Sequence, residues 1–466
     1  MTEETTKEEH DKLVTDVLFK GHFAGGYFNK EGKFQPALLS IDIQKMLHIV
    51  TMKDNREIWI YDPEKGCYKA NGAERLRVIT KKILGTEYRE KHAIATIDDI
   101  TASTQIEREE FHHPSHLIPV QNGLIDLLTP EPYQLLEHDP IYYVTGVLPV
   151  DYDPNAECSV FNEFLEEILP EMTDRIKIQE GFGNSLNNSR EYMIIYMLYG
   201  EGYNGKSTLM NVLNALLGNE NVSNISLFNL AYGTWYTADL FGKLANIYAD
   251  IGIKELKLTG SIKILTGDDV AKGERKYQKP FYFRNNAKPW FSTNVMPFVY
   301  DNSDAFHRRW RIIKFYKTFP LGAPQTEPGM IKKLTTKNEL SGILNWALEG
   351  LKRLHKQKTF SLLKTVEERR EEWQILSDPL SAFVHDKIGF AMEGYVTKEE
   401  FYQEYRKYCA TRRLAVMSKD KVGKRLPTII PNVGEIYKAV GDKQIRSWSG
   451  IYLKEDNEKT KDFRDS

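Results

Sequence analysis

Short apolar segments alternate with amphipathic ones through the middle of the chain. Strand-like runs occupy residues 192–199, 244–249 and 288–292, and helical patterns lie at 206–217 and 262–265. Alternating strands and crossover helices are typical of a parallel β-sheet covered by helices. The pattern therefore predicts an α/β unit. A further amphipathic helix is predicted at 339–356, where the apolar positions fall on one face.

The flanking regions have mixed patterns. Asn122-Gly123 lies between two apolar runs, which is a strong signal for a β-hairpin. The other N-terminal predictions are a helix at 41–50, short strands at 58–61 and 67–69, and helices at 161–168 and 174–181. At the other end, the predictions are helices at 398–413 and 419–426 and a strand at 446–453, an order that fits a small winged-helix module.

Turn residues at 151–155 and a charged run before Asp378-Pro379 suggest where the chain divides. We expect a flexible segment at 1–35, a mixed α+β domain at 36–155, a helical connector at 156–190, an α/β motor at 191–378, a winged-helix-like domain at 379–454 and a disordered tail at 455–466.

Composition narrows the class of protein. Hydrophobic residues make up 41% of the 466 and charged residues 27%, which excludes a largely disordered or fibrous chain. The 63 basic and 65 acidic residues nearly cancel, so any nucleic-acid surface must be local. Three distant cysteines indicate neither a disulfide framework nor a zinc site. Because no apolar run is long enough to span a membrane and the first residues lack a signal-peptide pattern, we expect a cytoplasmic protein without a membrane partner.

A glycine-rich segment between the first strand and its helix satisfies G-x-x-x-x-G-K-[ST]. Backbone N–H groups of such a loop converge on phosphate oxygens, and the following helix adds positive charge from its N-terminal end. Lys206 is expected to reach the β- and γ-phosphates of ATP, and Ser207 to bind Mg²⁺. The predicted nucleotide-binding residues are Gly200, Glu201, Gly202, Tyr203, Asn204, Gly205, Lys206, Ser207 and Thr208.

Polar residues at later strand ends could complete this site. Asp250 follows an apolar strand and is expected to hold a Mg²⁺-bound water; the general base is either Asp250 or Glu255. Asn294 ends another strand and could orient the attacking water. Arg308 and Arg309 precede an apolar segment, and either one is a candidate arginine finger acting on a neighbouring subunit's nucleotide, with a structural ion pair as the alternative.

These elements in this order resemble the superfamily 3 helicases, the AAA+ replication motors of viruses and plasmids. The resemblance is nearest to the phage/plasmid primase–helicase family related to the poxvirus replication NTPase. The residues that carry it lie at 200–207, 249–251, 263–269, 275–277, 287–294 and 306–310, with further similarity at 118–124, 152–154 and 341–347.

The resemblance implies an AAA+ P-loop motor that hydrolyses ATP with Mg²⁺. It further implies a homo-oligomeric ring, a hexamer, that threads one DNA strand with 3′-to-5′ polarity. The segment 267–283 is then a hairpin that projects into the channel, where Lys276, with Arg275 and Lys279 as lesser candidates, contacts DNA phosphate. Asp268 departs from the family, which more often has glycine there, and no polymerase-type primase domain is evident. The expected location is the cytoplasm, that of the host cell if the chain is viral or plasmid-encoded, and a separate primase or polymerase is a further candidate partner.

The C-terminal segment 406–425 is the most basic part of the chain, with eight Lys and Arg residues against Asp420. In a winged helix its second helix could enter a major groove; the alternative is a basic lid on the motor.

Three functions stay open: a DNA-unwinding motor, an ATP-dependent initiator that assembles on duplex DNA, and a small-molecule kinase. The histidines at 112–116 are expected to lie in an ordinary loop.

Overall fold

A computed structural model describes residues 24–233, 235–252, 255–276, 279–320, 322–323, 329–412, 414–440 and 443–454. Most of the predicted flexible segment 1–35, the predicted tail 455–466, Tyr277 and Arg413 lie outside the described residues. Mixed α/β structure fills the rest of the chain.

The N-terminal region is a small sheet covered by helices. Strand β1 pairs with β2 in antiparallel fashion and with β4 in parallel fashion, in the order β3-β2-β1-β4. The elements are α1 (Pro36–Met46), β1 (Ile49–Met52), β2 (Ile58–Asp62), β3 (Cys67–Lys69), α2 (Gly72–Leu84), α3 (Glu90–Ser103) and β4 (Gln105–Ile106). Leu39, Ile60 and Leu76 lie in the core between sheet and helices.

A hairpin sheet and two helices follow. They are β5 (Leu117–Val120), β6 (Gly123–Asp126), β7 (Gln134–Leu136), α4 (Ser159–Ile168) and α5 (Met172–Ser185). The predicted Asn122-Gly123 turn joins β5 to β6. Ile118, Phe161 and Phe182 belong to the same hydrophobic core as Leu213 of the following region, so this core continues across residues 155 and 190.

The central region is built on a five-stranded parallel sheet in the order β14-β8-β13-β10-β9. Its strands are β8 (Ile195–Tyr199), β9 (Val222–Ser223), β10 (Ala245–Tyr248), β13 (Lys288–Thr293) and β14 (Trp310–Lys314). Numbered within this sheet, the order is 5-1-4-3-2. The first strand is therefore an interior strand, and its carboxyl end lies beside those of the fourth and fifth strands, where ligands of open α/β sheets bind.

Helices cover both faces of this sheet. They are α6 (Lys206–Leu217), α7 (Leu227–Tyr232), α8 (Gly260–Leu265), α9 (Asp304–His307), α10 (Met330–Leu334), α11 (Lys337–Gln357) and α12 (Val366–Ser377). Helices α5 and α11 pack closely because Gly183 and Gly350 lie at their contact, where an added Cβ would come within 2.4 and 2.2 Å of the opposite backbone. A two-stranded hairpin, β11 (Val270–Gly273) and β12 (Phe281–Arg284), stands apart from the sheet.

The C-terminal region consists of three helices and a three-stranded antiparallel sheet in the order β15-β17-β16. Its elements are α13 (Pro379–Lys387), β15 (Ile388–Thr397), α14 (Lys398–Arg412), α15 (Lys419–Ile429), β16 (Gly434–Val440) and β17 (Lys443–Leu453). Phe383, Tyr405 and Trp448 share one hydrophobic core with Met197 of the parallel sheet. This region therefore packs on the central region.

Most of the predicted elements are present in the structure with small differences at their ends, but many elements of the structure were not predicted. The predicted helix at 41–50 is wrong at its end, because α1 stops at Met46 and Ile49 pairs with Ile60 in a sheet. The elements that were not predicted are strands β1, β4, β7, β9, β14, β15 and β16 and helices α2, α3, α7, α9, α10, α12 and α13. None of the helices among the described residues is long and apolar enough to cross a membrane.

Candidate nucleotide-binding site

The glycine-rich loop lies at the carboxyl end of the interior strand β8, directly before α6. Gly205 has a positive φ of 85°, and a Cβ there would lie 2.6 Å from Cγ2 of Ile168. At Gly200 a Cβ would lie 2.2 Å from the backbone oxygen of Phe315. Only glycine fits at these two positions, which keeps the loop closely wrapped around the start of α6.

Lys206 points back into this loop. Its ammonium donates hydrogen bonds to the backbone oxygens of Gly200 (2.7 Å) and Glu201 (2.8 Å) and to Oδ1 of Asn204 (3.0 Å). Oδ1 of Asn294 lies at 3.4 Å. Burial lowers the pKa of Lys206 to about 8, although the nearby Asp250 and Glu201 oppose the shift. The result is a buried cation whose direct partners are neutral oxygens, so an anionic phosphate would supply the missing counter-charge.

The side chains predicted to hold Mg²⁺ lie at the same edge of the sheet. Asp250 follows β10 in the left-handed conformation (φ 57°), and its N–H donates to Oγ of Ser292 at 3.0 Å. Ser207, in the first turn of α6, is exposed, as is Asp250. No group of three or more His, Cys, Asp or Glu residues suited to a metal occurs in the described ranges. A hydroxyl and one carboxylate fit a Mg²⁺ ion that takes its other ligands from phosphate and water.

The structure separates the two candidate fingers. Arg308 has an exposed side chain, and its backbone oxygen accepts a hydrogen bond from Arg369. Arg309 is buried and donates to the backbone oxygens of Ala305 and Lys263 of its own chain. Burial lowers the pKa of the Arg309 guanidinium. The geometry therefore leaves Arg308 free to reach another molecule and gives Arg309 an internal role.

The predicted hairpin is present, but its three candidate DNA-binding cations differ in exposure and in their contacts. Lys276 and Lys279 lie between β11 and β12 in the chain, and both are exposed. Arg275 instead forms an ion pair with Glu57 of the N-terminal region at 2.9 Å, and its guanidinium lies over the ring of Phe281. Arg275 is therefore part of the packing between hairpin and N-terminal region.

The basic segment at 406–425 carries less free charge than its sequence indicates. Lys407, Lys419, Arg412 and Arg425 pair with Glu404, Glu399, Asp386 and Asp378, respectively. Arg406, Lys421 and Lys424 are exposed and form no ion pair with a described residue.

Elsewhere, His113 is buried in the wall of a cleft, and burial lowers its pKa to about 4, so it is neutral at pH 7.

Several supporting contacts were not predicted because they join distant parts of the chain. Ile168 and Phe315 form the walls against which Gly205 and Gly200 pack, and Phe319 donates its N–H to the oxygen of Tyr203 at 2.7 Å. Ser292 fixes the backbone of Asp250. No local sequence signal marks these roles.

Two family models match parts of the chain, neither reaching half of it. Residues 40–170 match the family "D5 N terminal like", and residues 198–309 match a "Family of unknown function (DUF5906)". The second match contains the whole glycine-rich loop and extends to Arg309.

Two curated relatives are viral proteins. "Putative helicase L207/L206" of Acanthamoeba polyphaga mimivirus is 28% identical over 44% of this chain and 22% of its own length. "Putative primase C962R" of African swine fever virus (strain Badajoz 1971 Vero-adapted) is 23% identical over 59% of this chain and 31% of its own. The chain is thus related to viral proteins named as helicases and primases, and it spans a fifth to a third of their length.

A solved structure described as the A form apo structure of the NrS-1 C terminal region (305–718) covers 89% of this chain and 99% of its own. Its identity is 14% and its TM-score 0.46. Such a TM-score does not establish a shared fold, so the architecture rests on the strand order given above.

Proposed function

We propose that this chain is the ATP-hydrolysing motor of a DNA helicase, of the superfamily 3 AAA+ type, that acts in the replication of a virus, plasmid or related mobile element. The observation that carries the proposal is the buried Lys206 ammonium, held by neutral oxygens at the carboxyl end of an interior parallel strand, with Asn294 after the neighbouring strand β13 and Asp250 after β10, the next strand beyond it. This arrangement is suited to binding and cleaving a nucleoside triphosphate.

In this proposal each side chain has a separate task. The loop N–H groups and Lys206 bind the phosphates of ATP, while Ser207 and Asp250 hold Mg²⁺, which would offset charge on the phosphates. Asn294 orients water, and Arg308 acts on the nucleotide of the next subunit in a ring, for which we propose six copies. Lys276 and Lys279 contact the backbone of the threaded strand. Relatives named as helicase and primase support a role on DNA.

A second candidate is an initiator that uses ATP to assemble on duplex DNA without unwinding it. The order helix, strand, two helices and two strands after Pro379 supports a winged-helix module, and Lys421 and Lys424 are exposed on α15. Against this, the module shares a core with the motor, as a lid does. We also propose that any primase or polymerase activity needed with the motor is supplied outside residues 24–454.

Strand displacement distinguishes the two candidates. With ATP and Mg²⁺, we expect the protein to separate the strands of a forked duplex that carries a 3′ tail. A duplex that carries only a 5′ tail should stay double-stranded. Lys276→Ala should abolish displacement while duplex binding persists, because the exposed hairpin lysine transmits movement to the strand. Lys356→Ala, which removes another exposed lysine, is the matched control. Hydrolysis of ATP with no displacement on either fork would favour the initiator.

Nucleotide affinity should depend on pH through Lys206. Its pKa is about 8 in the free protein, and a bound phosphate raises it because the anion favours the charged amine. Affinity should therefore be constant below about pH 8 and fall by up to about tenfold per pH unit above it, as binding must then take up a proton. Calorimetric titration with a non-hydrolysable ATP analogue measures this. Lys206→Arg, which stays charged, is the control, and an affinity that is flat above pH 8 would contradict the assignment.

A further inference from the structure

A cleft of about 660 Å³ lies between the N-terminal region and the motor, away from the glycine-rich loop. One wall is the exposed face of the hairpin, which contributes Val270, Tyr282 and Arg284. The opposite face of the hairpin is fixed: Phe281 lies under the guanidinium of Arg108, which in turn makes two 2.8 Å hydrogen bonds to Asp54. The cleft therefore has a rigid wall of defined chemistry.

Two guanidinium groups meet at this cleft and share one carboxylate. Nη1 of Arg284 donates a hydrogen bond to the backbone oxygen of Asp268 and lies 3.1 Å from its carboxylate Oδ1, and Nε of Arg190 lies 3.6 Å from the same carboxylate oxygen. Neither arginine has another carboxylate partner among the described residues. Asp268 is 79% exposed and the arginines about 40%, so the cluster is open to solvent. A phosphate group could replace or join the carboxylate and bind both guanidinium groups.

Groups suited to a base and sugar lie in the same cleft. The ring of Tyr282 is 57% exposed and provides a flat surface on which a base can stack. The amide oxygens of Asn188 and Asn286 are buried in the wall and have no hydrogen-bond donor among the described residues. Their acceptor capacity is unused, and a rotation of either side chain toward the cleft would let it accept a hydrogen bond from an N–H group of a base.

We propose that this cleft binds a nucleotide unit of single-stranded DNA, with its phosphate between Arg190 and Arg284 and its base on Tyr282. The inference rests on the proposed function in that the strand is the one the motor moves. The proposed site adds a DNA contact on the side of the hairpin to the one at Lys276. It also explains Asp268, which holds the two arginines in position and competes with the phosphate for them.

Fluorescence anisotropy with a labelled oligothymidylate, in the absence of ATP, tests the site. Arg190→Gln with Arg284→Gln should weaken binding about tenfold or more, and Tyr282→Ala about five- to a hundredfold, while Tyr282→Phe retains affinity. Asp268→Asn should strengthen binding about fivefold, because it removes the competing charge. Glu393→Gln makes the same charge change at an exposed position in β15 and should leave affinity unaltered. Thermal unfolding of each variant shows whether it is folded.

Photocrosslinking gives an independent measurement. An oligonucleotide that contains 4-thiothymidine should attach to the peptide that includes Tyr282. Unchanged affinity in the double arginine variant, together with crosslinks confined to the hairpin tip, would overturn the inference. Competition by thymidine monophosphate as effective as that of the oligonucleotide would instead indicate a free-nucleotide site and also overturn it. ATP hydrolysis by the unaltered protein is scored separately, so failure of the motor proposal is distinguishable from failure of this site.

Discussion

Replacing Lys206 with alanine is expected to lower the rate of ATP hydrolysis about a hundred- to a thousandfold. The ammonium of Lys206 is the one cation that the structure buries at the start of α6, and it is held by three loop oxygens and Asn294. Charge that develops on the transferred phosphoryl group is stabilised most strongly by a preorganised cation in a site that excludes water. Alanine removes that cation, and water then forms the hydrogen bonds to the loop oxygens.

The variant should remain folded, so the loss can be assigned to the reaction. The lowered pKa of Lys206 means that the fold disfavours its charged form, and removing a disfavoured buried charge does not weaken the fold through electrostatics. Phosphate release and thermal unfolding, measured for Lys206→Ala and for Lys356→Ala as control, separate the two effects. Hydrolysis within about tenfold of the unaltered rate would contradict the proposed role of Lys206.

The elements that sequence alone predicts well are those with a strong local pattern. Strands β8, β10 and β13 and helix α6 each combine an apolar run with adjacent turn residues, so local sequence is sufficient. Strand β9 has only two residues, and in β14 the charged Arg311 and Lys314 interrupt the apolar residues, so neither strand has a clear period. Ile49 and Val50 fit either a helix or a strand, and only pairing with β2 decides between them.

Charges are predicted less well, because their partners lie far away in sequence. Arg425 pairs with Asp378 and Arg275 with Glu57, so counting nearby residues overstates the free positive charge. The cleft could not be predicted for the same reason, because Arg190 and Arg284 are far apart in sequence and meet at Asp268 only in the folded chain. Asp268 is visible in the sequence only as a departure from the family pattern, without a physical role.

Arg308→Ala should also remove hydrolysis, by about a thousandfold or more if the guanidinium acts as a finger between subunits. Arg309→Ala should have a smaller effect on hydrolysis and should lower the unfolding temperature. The difference follows from their environments: Arg308 is exposed, whereas Arg309 is buried and satisfies the carbonyl oxygens of Ala305 and Lys263. A finger must be free to leave its own subunit, and only Arg308 meets that condition.

Mixing inactive subunits tests whether the finger acts between chains. An interface in a ring combines the glycine-rich loop of one subunit with Arg308 of the next, so an equal mixture of Arg308→Ala and Lys206→Ala subunits should contain intact sites at about a quarter of its interfaces. We expect hydrolysis to reappear at about that fraction of the unaltered rate. Recovery should disappear on dilution as the ring dissociates. If no mixture regains activity while dilute single subunits of the unaltered protein hydrolyse ATP at full rate, the nucleotide site is complete within one chain and Arg308 has no role in it.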